Sequence, residues 1–335
     1  MMTRRATTCA FLLVLLAAAS VCAQQAADLA PPVQERSTRW QAEVERLDDA
    51  FRAQLLTATD PRSNWVAGQL DRGDIESQVR RIAAARFAVP ASKLYLATLA
   101  TACLEPVQPR LPECDTIDRL ADWAIRDADN GWPSLLLADR ARQHKNAEAM
   151  LAHLQQAAMQ PRFVEYWEAG SLEIREAVLA MPVAGDDSAK LELAVMYAVP
   201  RTLLWPNAAR ATCMGSAERT EAVRGACAKL GTALVERGST WMARLIGARM
   251  VEANVDSPEA KAAASATVAA IRARIAACSR STGPILDGLE ATDPATRAKA
   301  IAEWDRWLRR EAAVGEARAC EERAGATSPA PSKGQ

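Results

Sequence analysis

Residues 133–161, PSLLLADRARQHKNAEAMLAHLQQAAMQP, decide the fold. Leu136, Leu137 and Ala141 come first, then Ala147, Met150, Leu151, Leu154 and Ala158. The apolar positions recur at spacings of three and four, so each half presents one apolar helix face. His144 falls in the turn between the halves. The segment reads as a helical hairpin opened by Pro133 and ended by Pro161. Working towards the N-terminus, a second unit starts after Pro90. Leu94, Leu96, Leu99 and Ala100 form its first face, and Ile117, Leu120, Ala121 and Ala124 the return. A first unit runs from Pro61 through Trp65-Val66-Ala67, breaks at Gly73-Asp74, and returns on Ile75, Val79, Ile82 and Ala83. The four prolines lie 29, 43 and 28 residues apart, and the long middle interval carries an extra loop bounded by Cys103 and Cys114. A proline suits a helix start, because its missing N–H would have had no intrahelical partner there.

The units echo each other. Lys93-Leu94-Tyr95-Leu96-Ala97 parallels Ser134-Leu135-Leu136-Leu137-Ala138, and Leu120-Ala121 parallels Leu151-Ala152. Two helices of about 11 residues cannot bury their apolar stripe alone, so such units stack on neighbours. Over residues 61–161 the pattern resembles tetratricopeptide-type helical repeats. That resemblance implies a right-handed α-α solenoid with a concave face that binds a protein partner. The alternative is a non-repetitive bundle whose alanine-rich helices look alike by composition.

Residues 1–23 read as a signal peptide: Arg4 and Arg5, an apolar run from Phe11 to Ala19, then Val21-Cys22-Ala23 before the cut. Cys22 offers a lipoprotein alternative, against which Val21 is bulkier than such a site wants. No later stretch is long and apolar enough for a transmembrane helix. The product is expected to be exported, periplasmic or secreted. Without Arg4 and Arg5 the chain carries 39 basic against 41 acidic residues, which gives no electrostatic case for nucleic acid or an acidic membrane. Its composition resembles exported alanine-rich proteins of high-GC Gram-negative bacteria.

Residues 24–37, with Pro31-Pro32, read as a flexible leader. Thr38 to Leu56 reads as a helix with Trp40, Val44, Leu47, Phe51 and Leu55 on one face, capping the first hairpin. The hairpin region is placed at 38–184. Helices over Glu173–Met181 and Ser188–Val199 flank a soft boundary at Ala184. In the C-terminal helical region, 185–323, helices are expected over Ser216–Glu236, after Gly238-Ser239-Thr240, from Asp256-Ser257-Pro258, and from Thr292-Asp293-Pro294 to the end. Residues 324–335 read as a disordered tail. No run alternates as a strand does, so the fold class is all-α.

Six cysteines remain after the signal: Cys103, Cys114, Cys213, Cys227, Cys278 and Cys320. An even number in an exported chain suggests three disulfides, and proximity pairs them in that order. Cys103–Cys114 closes a loop between helices. Cys213–Cys227 has a condition: a helix starting at Ser216 would hold the two roughly 15 Å apart, so it must start later or the preceding segment must fold back. Cys278–Cys320 requires residues 283–291 to run outward before the last helix returns. No C-x-x-C occurs, so zinc is not expected.

The search for chemistry is nearly empty. His144 and His153 are the only histidines and lack the i, i+4 spacing of a helical metal site. No nucleophile elbow, phosphate loop or dinucleotide glycine pattern occurs, and no cofactor is expected. The acidic pairs Asp48-Asp49, Asp186-Asp187, Asp127-Ala128-Asp129 and Glu321-Glu322 have the look of caps and solvated faces. Arg297, Lys299, Arg306, Arg309 and Arg310 are interleaved with acids. Phe163, Tyr166 and Trp167 are the candidate partner-contact aromatics, although such a cluster is more often the joint between two packed units. The leading expectation is a non-catalytic exported adaptor of the cell envelope. The alternatives are a carboxylate-dependent envelope hydrolase, acting on glycan or peptidoglycan, and a structural or ligand-storing α-bundle.

Overall fold

The computed structural model describes residues 31–70, 74–104, 111–115, 118–185, 187–198, 204–215, 219–289, 291 and 293–327. The signal-peptide stretch lies outside the described residues. The helices are α1 Pro31–Thr57, α2 Pro61–Leu70, α3 Ile75–Ala88, α4 Lys93–Ala102, α5 Pro112–Asp115, α6 Arg119–Arg126, α7 Gly131–Gln143 and α8 Ala147–Met159. They continue as α9 Trp167–Leu179, α10 Asp187–Ala198, α11 Leu204–Ala209, α12 Glu221–Arg237, α13 Trp241–Asn254, α14 Pro258–Leu289, α15 Pro294–Val314 and α16 Glu316–Thr327. A π-helical turn, Arg210–Met214, follows α11. The fold is all-α, and among the described residues no strand forms.

Local chemistry sets the starts. Asp74, Ser92, Asp118, Asn130, Asn146, Thr220, Thr240 and Asp293 each accept a backbone N–H of the first turn that follows, which satisfies a donor the helix itself cannot. This shifts the expected openings. Pro61 does open α2, but Pro90 stands before the Ser92 cap and Pro133 sits in the first turn behind the Asn130 cap. Helix α1 begins at Pro31, inside the expected leader, because two prolines are tolerated in a first turn. Helix α9 begins at Trp167 rather than Glu173, directly after Tyr166 takes a left-handed φ of 58°. Helix α16 runs on to Thr327, into the expected tail.

Three apolar cores hold the helices. One gathers Leu47 and Phe51 of α1, Trp65 of α2, Ile82 of α3, Leu99 of α4, Val178 of α9 and Leu193 of α10. The next gathers Leu120, Trp132, Leu135, Leu154, Phe163, Leu230 and Leu234. The third joins Trp241, Val268, Ile271, Trp307 and Cys320. The boundary at Ala184 is not a structural one. Helix α10 follows it in sequence yet packs against α1: Arg46 donates to the Ala184 carbonyl at 2.6 Å, Tyr197 donates to Asp48, and the Tyr197 ring lies 5.7 Å from Phe51.

The disulfides are Cys103–Cys114, Cys213–Cys227 and Cys278–Cys320, with Cα atoms 5.5, 5.5 and 5.3 Å apart. Helix α12 starts at Glu221, later than Ser216, so Cys227 lies in its second turn and reaches Cys213. Helix α14 continues past Cys278 to Leu289, and α15 returns. At Gly315 the expected single last helix breaks. Its φ is 83°, a conformation open to glycine, and a Cβ there would lie 2.9 Å from the Ser239 carbonyl oxygen. The chain turns, and α16 brings Cys320 to Cys278. The chain-entropy model gives each bridge about 3–4 kcal/mol of stabilisation.

Candidate functional site

Four turns are tied together by backbone hydrogen bonds. Gly131 N–H donates to the Arg162 carbonyl (2.9 Å) and Arg162 N–H to Asp129 (3.3 Å). Ser239 N–H donates to Phe163 (3.1 Å), and Ala317 N–H to Ser239 (2.9 Å). These turns lead into α7, α9, α13 and α16. The edge is therefore rich in orphan N–H groups and in the positive ends of helix dipoles, which favour carboxylates.

The expected aromatics lie here, in the joint. Phe163 is a correction to the surface role: it is fully buried, edge-on to Trp132 at 5.3 Å between centroids, with the Arg237 guanidinium 6.0 Å from its ring centre. Arg237 also donates to the Gln160 and Ala158 carbonyls at 2.6 and 2.8 Å. Apolar burial outweighs display at this position. Tyr166 and Trp167 are half-buried, and the Tyr166 hydroxyl donates to Asp127 at 2.8 Å.

Asp127 is the centre of a polar knot. Its Oδ2 accepts from Tyr166, from Asn130 (2.9 Å) and from the Trp123 indole (3.2 Å). Its Oδ1 accepts from Arg162 (2.7 Å) and pairs with Lys93 (2.9 Å). Burial pushes its pKa up, but Lys93, Asn130, Tyr166 and Arg162 together hold it below the ordinary carboxylate value. Arg162 also grips Asp129 and holds that carboxyl down at about 2. Burial, then the Asp127 charge, pushes the Tyr166 phenol up. The spaced pair Asp127 and Asp129 is thus brought together by Lys93 and Arg162. Both oxygens of Asp127 are occupied by donors, so it has no free base to offer a substrate.

A second carboxylate group lies where the turns of α9, α13 and α16 meet. Glu168 is buried; Glu311 and Glu316 are half-buried. Glu316 N–H donates to Glu168 Oε1 (3.2 Å), and Trp241 N–H donates to Glu316 Oε2 (3.0 Å). Burial raises Glu168 and Glu316 above their ordinary values. Burial, then the charges of Glu316 and Glu168, raises Glu311 to about 8. Sequence reasoning missed all three. The usable signal was a glutamate just inside a helix start, at Glu168 and Glu316.

Elsewhere the expected groups stay apart. His144 is exposed at the end of α7, and His153 is half-buried with its Nδ1 shielded from solvent. Asp48 is tied to Arg52 and Tyr197, Asp49 is exposed, and Asp186 lies outside the described residues. Glu321 pairs with Arg244 and Arg274. An open cleft between α15 and α16 holds Glu303, Trp307, Arg310, Glu322 and Arg323. Its two carboxylates pair with arginines, Glu322 with Arg310 at 2.7 Å and Glu303 with Arg323 at 3.8 Å. The Arg310 hydrogen bond holds Glu322 below its ordinary value, the opposite of what a general acid needs. Among the described residues no group of three His, Cys, Asp or Glu side chains is placed to hold a metal ion. No protein-family model matches the chain, and no curated protein or solved structure is significantly similar to it.

Proposed function

We propose that the chain is an exported, non-catalytic helical-repeat scaffold of the cell envelope whose task is to bind another protein. Three disulfides support an oxidising compartment, and no described helix is long and apolar enough to cross a membrane.

The observation that carries the binding reading is the set of exposed apolar side chains at the C-terminal ends of α3 and α6. Phe87 is 57 % exposed, Val89 37 % and Ile125 77 %. The Arg119 guanidinium lies 5.5 Å from the Phe87 ring centre, while Asp122 pairs with Arg126 at 2.6 Å and with Arg86 at 3.8 Å. The Phe87–Arg119 and Arg86–Asp122 contacts bring the end of α3 against the first turn of α6. Exposed aromatic and aliphatic groups rimmed by arginine have the composition of a protein-binding hot spot.

The test is crosslinked capture of the tagged mature protein from its own envelope, read by mass spectrometry, with a Phe87→Asp/Ile125→Asp double variant alongside. A single stoichiometric partner lost in the variant, at unchanged Tm, is the expected result. The same proteins captured by both forms, or none captured by either, would overturn the reading.

A further inference from the structure

The Glu168, Glu311 and Glu316 group crosses an interface. Glu168 belongs to α9, Glu311 to the last turn of α15 and Glu316 to the first residue of α16. Glu316 accepts the Trp241 N–H at the start of α13 while its own N–H donates to Glu168. Trp307 donates to Glu311 from one turn earlier on α15. The Gly315 turn is pinned further by Ala317 N–H on the Ser239 carbonyl. Four elements therefore close around three carboxylates.

The charges facing this group do not balance it. From the loop before α9, Glu165 accepts the Thr240 hydroxyl. On α9, Arg175 pairs with Asp305 of α15. From α13, Arg244 faces Glu316, but its guanidinium is shared with the Gly238 carbonyl and Glu321. From α14, Arg274 is on Glu321; on α15 Arg310 is on Glu322, which also holds Arg318 of α16. Among the described residues one shared arginine opposes three carboxylates, so full ionisation would set like charges against each other in a partly dry site.

We propose that Glu168, Glu311 and Glu316 form a proton-dependent latch, which keeps the α15–α16 turn docked on α9 and α13 while it retains a proton and loosens that turn when the proton is lost. The sign follows from linkage. A carboxyl whose folded pKa is raised stabilises the docked state fully below its ordinary pKa. That contribution is lost as pH rises through the folded value, here about 8 for Glu311. Cys278–Cys320 still ties α16 to α14, so the opening is local and reversible.

Hydrogen exchange by mass spectrometry on the full mature chain, corrected for the intrinsic rate, tests this between about pH 6 and about pH 9. Protection of the Trp241, Glu316 and Ala317 amides should fall about tenfold per pH unit up to about pH 8 and level off above it, while peptides of α8 stay unchanged. Glu311→Gln should abolish the fall. A fall of the same size in that variant, or none in the wild type, overturns the latch. Should the variant not fold, the infrared carboxylic-acid band of the wild type decides: it must disappear with a midpoint near pH 8, and no band titrating above about pH 6 also overturns the proposal.

Discussion

A carboxylate removed from water is tolerated only where donors replace the water it lost. Asp127 has such donors from Trp123, Asn130, Tyr166, Arg162 and Lys93. They come from α4, α6 and the turns before α7 and α9, so one side chain fastens four segments. Asp127→Asn keeps the shape but leaves Lys93 and Arg162, among the described residues, with Asp129 as their one anionic partner, and its NH2 takes the place of one of the two accepting oxygens. The cations left behind are part-exposed and keep Asp129, so the cost is that of the buried donors left unsatisfied, about 1–3 kcal/mol, and urea unfolding at neutral pH should show a loss of that order. The folded pKa lies below the ordinary value, so the carboxylate's contribution is present above that value and is lost as pH falls through the folded one. The gap between wild type and variant should therefore close in acid. A gap that stays constant with pH would mean that shape, not charge, carries the contact. In the sequence Asp127 and Asp129 stood out only as a spaced pair. Their partners Lys93, Arg162 and Tyr166 lie 33–39 residues away, beyond any local pattern.

At the scale of the element, helices were legible because apolar spacing is a local signal, whereas their first residues were not. Several polar residues compete for each cap. The sequence points to Ser216 as the start of α12, whereas Thr220 is its cap, and the later start is what lets Cys227 reach Cys213. Helix crossing was also invisible, because it pairs positions on different helices. In the α12–α13 hairpin, Gly231 and Gly247 face each other, and a Cβ on either would lie 2.6 Å from the other's carbonyl oxygen. Gly225, two turns earlier on α12, has nothing within 4 Å of such a Cβ. The same substitution should therefore have opposite signs within one helix. Gly231→Ala or Gly247→Ala should cost about 1–3 kcal/mol by forcing the helices apart. Gly225→Ala should stabilise by about 0.5–1 kcal/mol through helix propensity alone. Thermal unfolding of the three variants side by side checks it, and a matching loss for all three would mean that the close crossing is not formed.

At the scale of the whole molecule, the chain returns on itself where its sequence looks divided. Pro182-Val183-Ala184-Gly185 reads as a boundary because it lacks helix periodicity. In space it is the corner of a hairpin that carries α10 back to α1. A Cβ on Gly185 would lie 2.8 Å from Leu47, and Leu193, Ala194 and Tyr197 complete the core around Leu47 and Phe51. The second core is shared in the same way, with Leu135 and Leu154 from before the boundary and Leu230 and Leu234 from after it. A fragment of residues 24–184 would therefore expose both surfaces at once. Burial of a Leu or Phe side chain is worth about 1.5–3 kcal/mol, and a domain has only about 5–15 kcal/mol in hand. Losing the cover over Leu47, Phe51, Leu135 and Leu154 removes a comparable amount. The fragment should show helical circular dichroism without a cooperative thermal transition, whereas the chain through Thr327 should unfold cooperatively. A sharp transition in the fragment would instead make residues 38–184 an autonomous domain, and α10 an addition to it rather than part of its core.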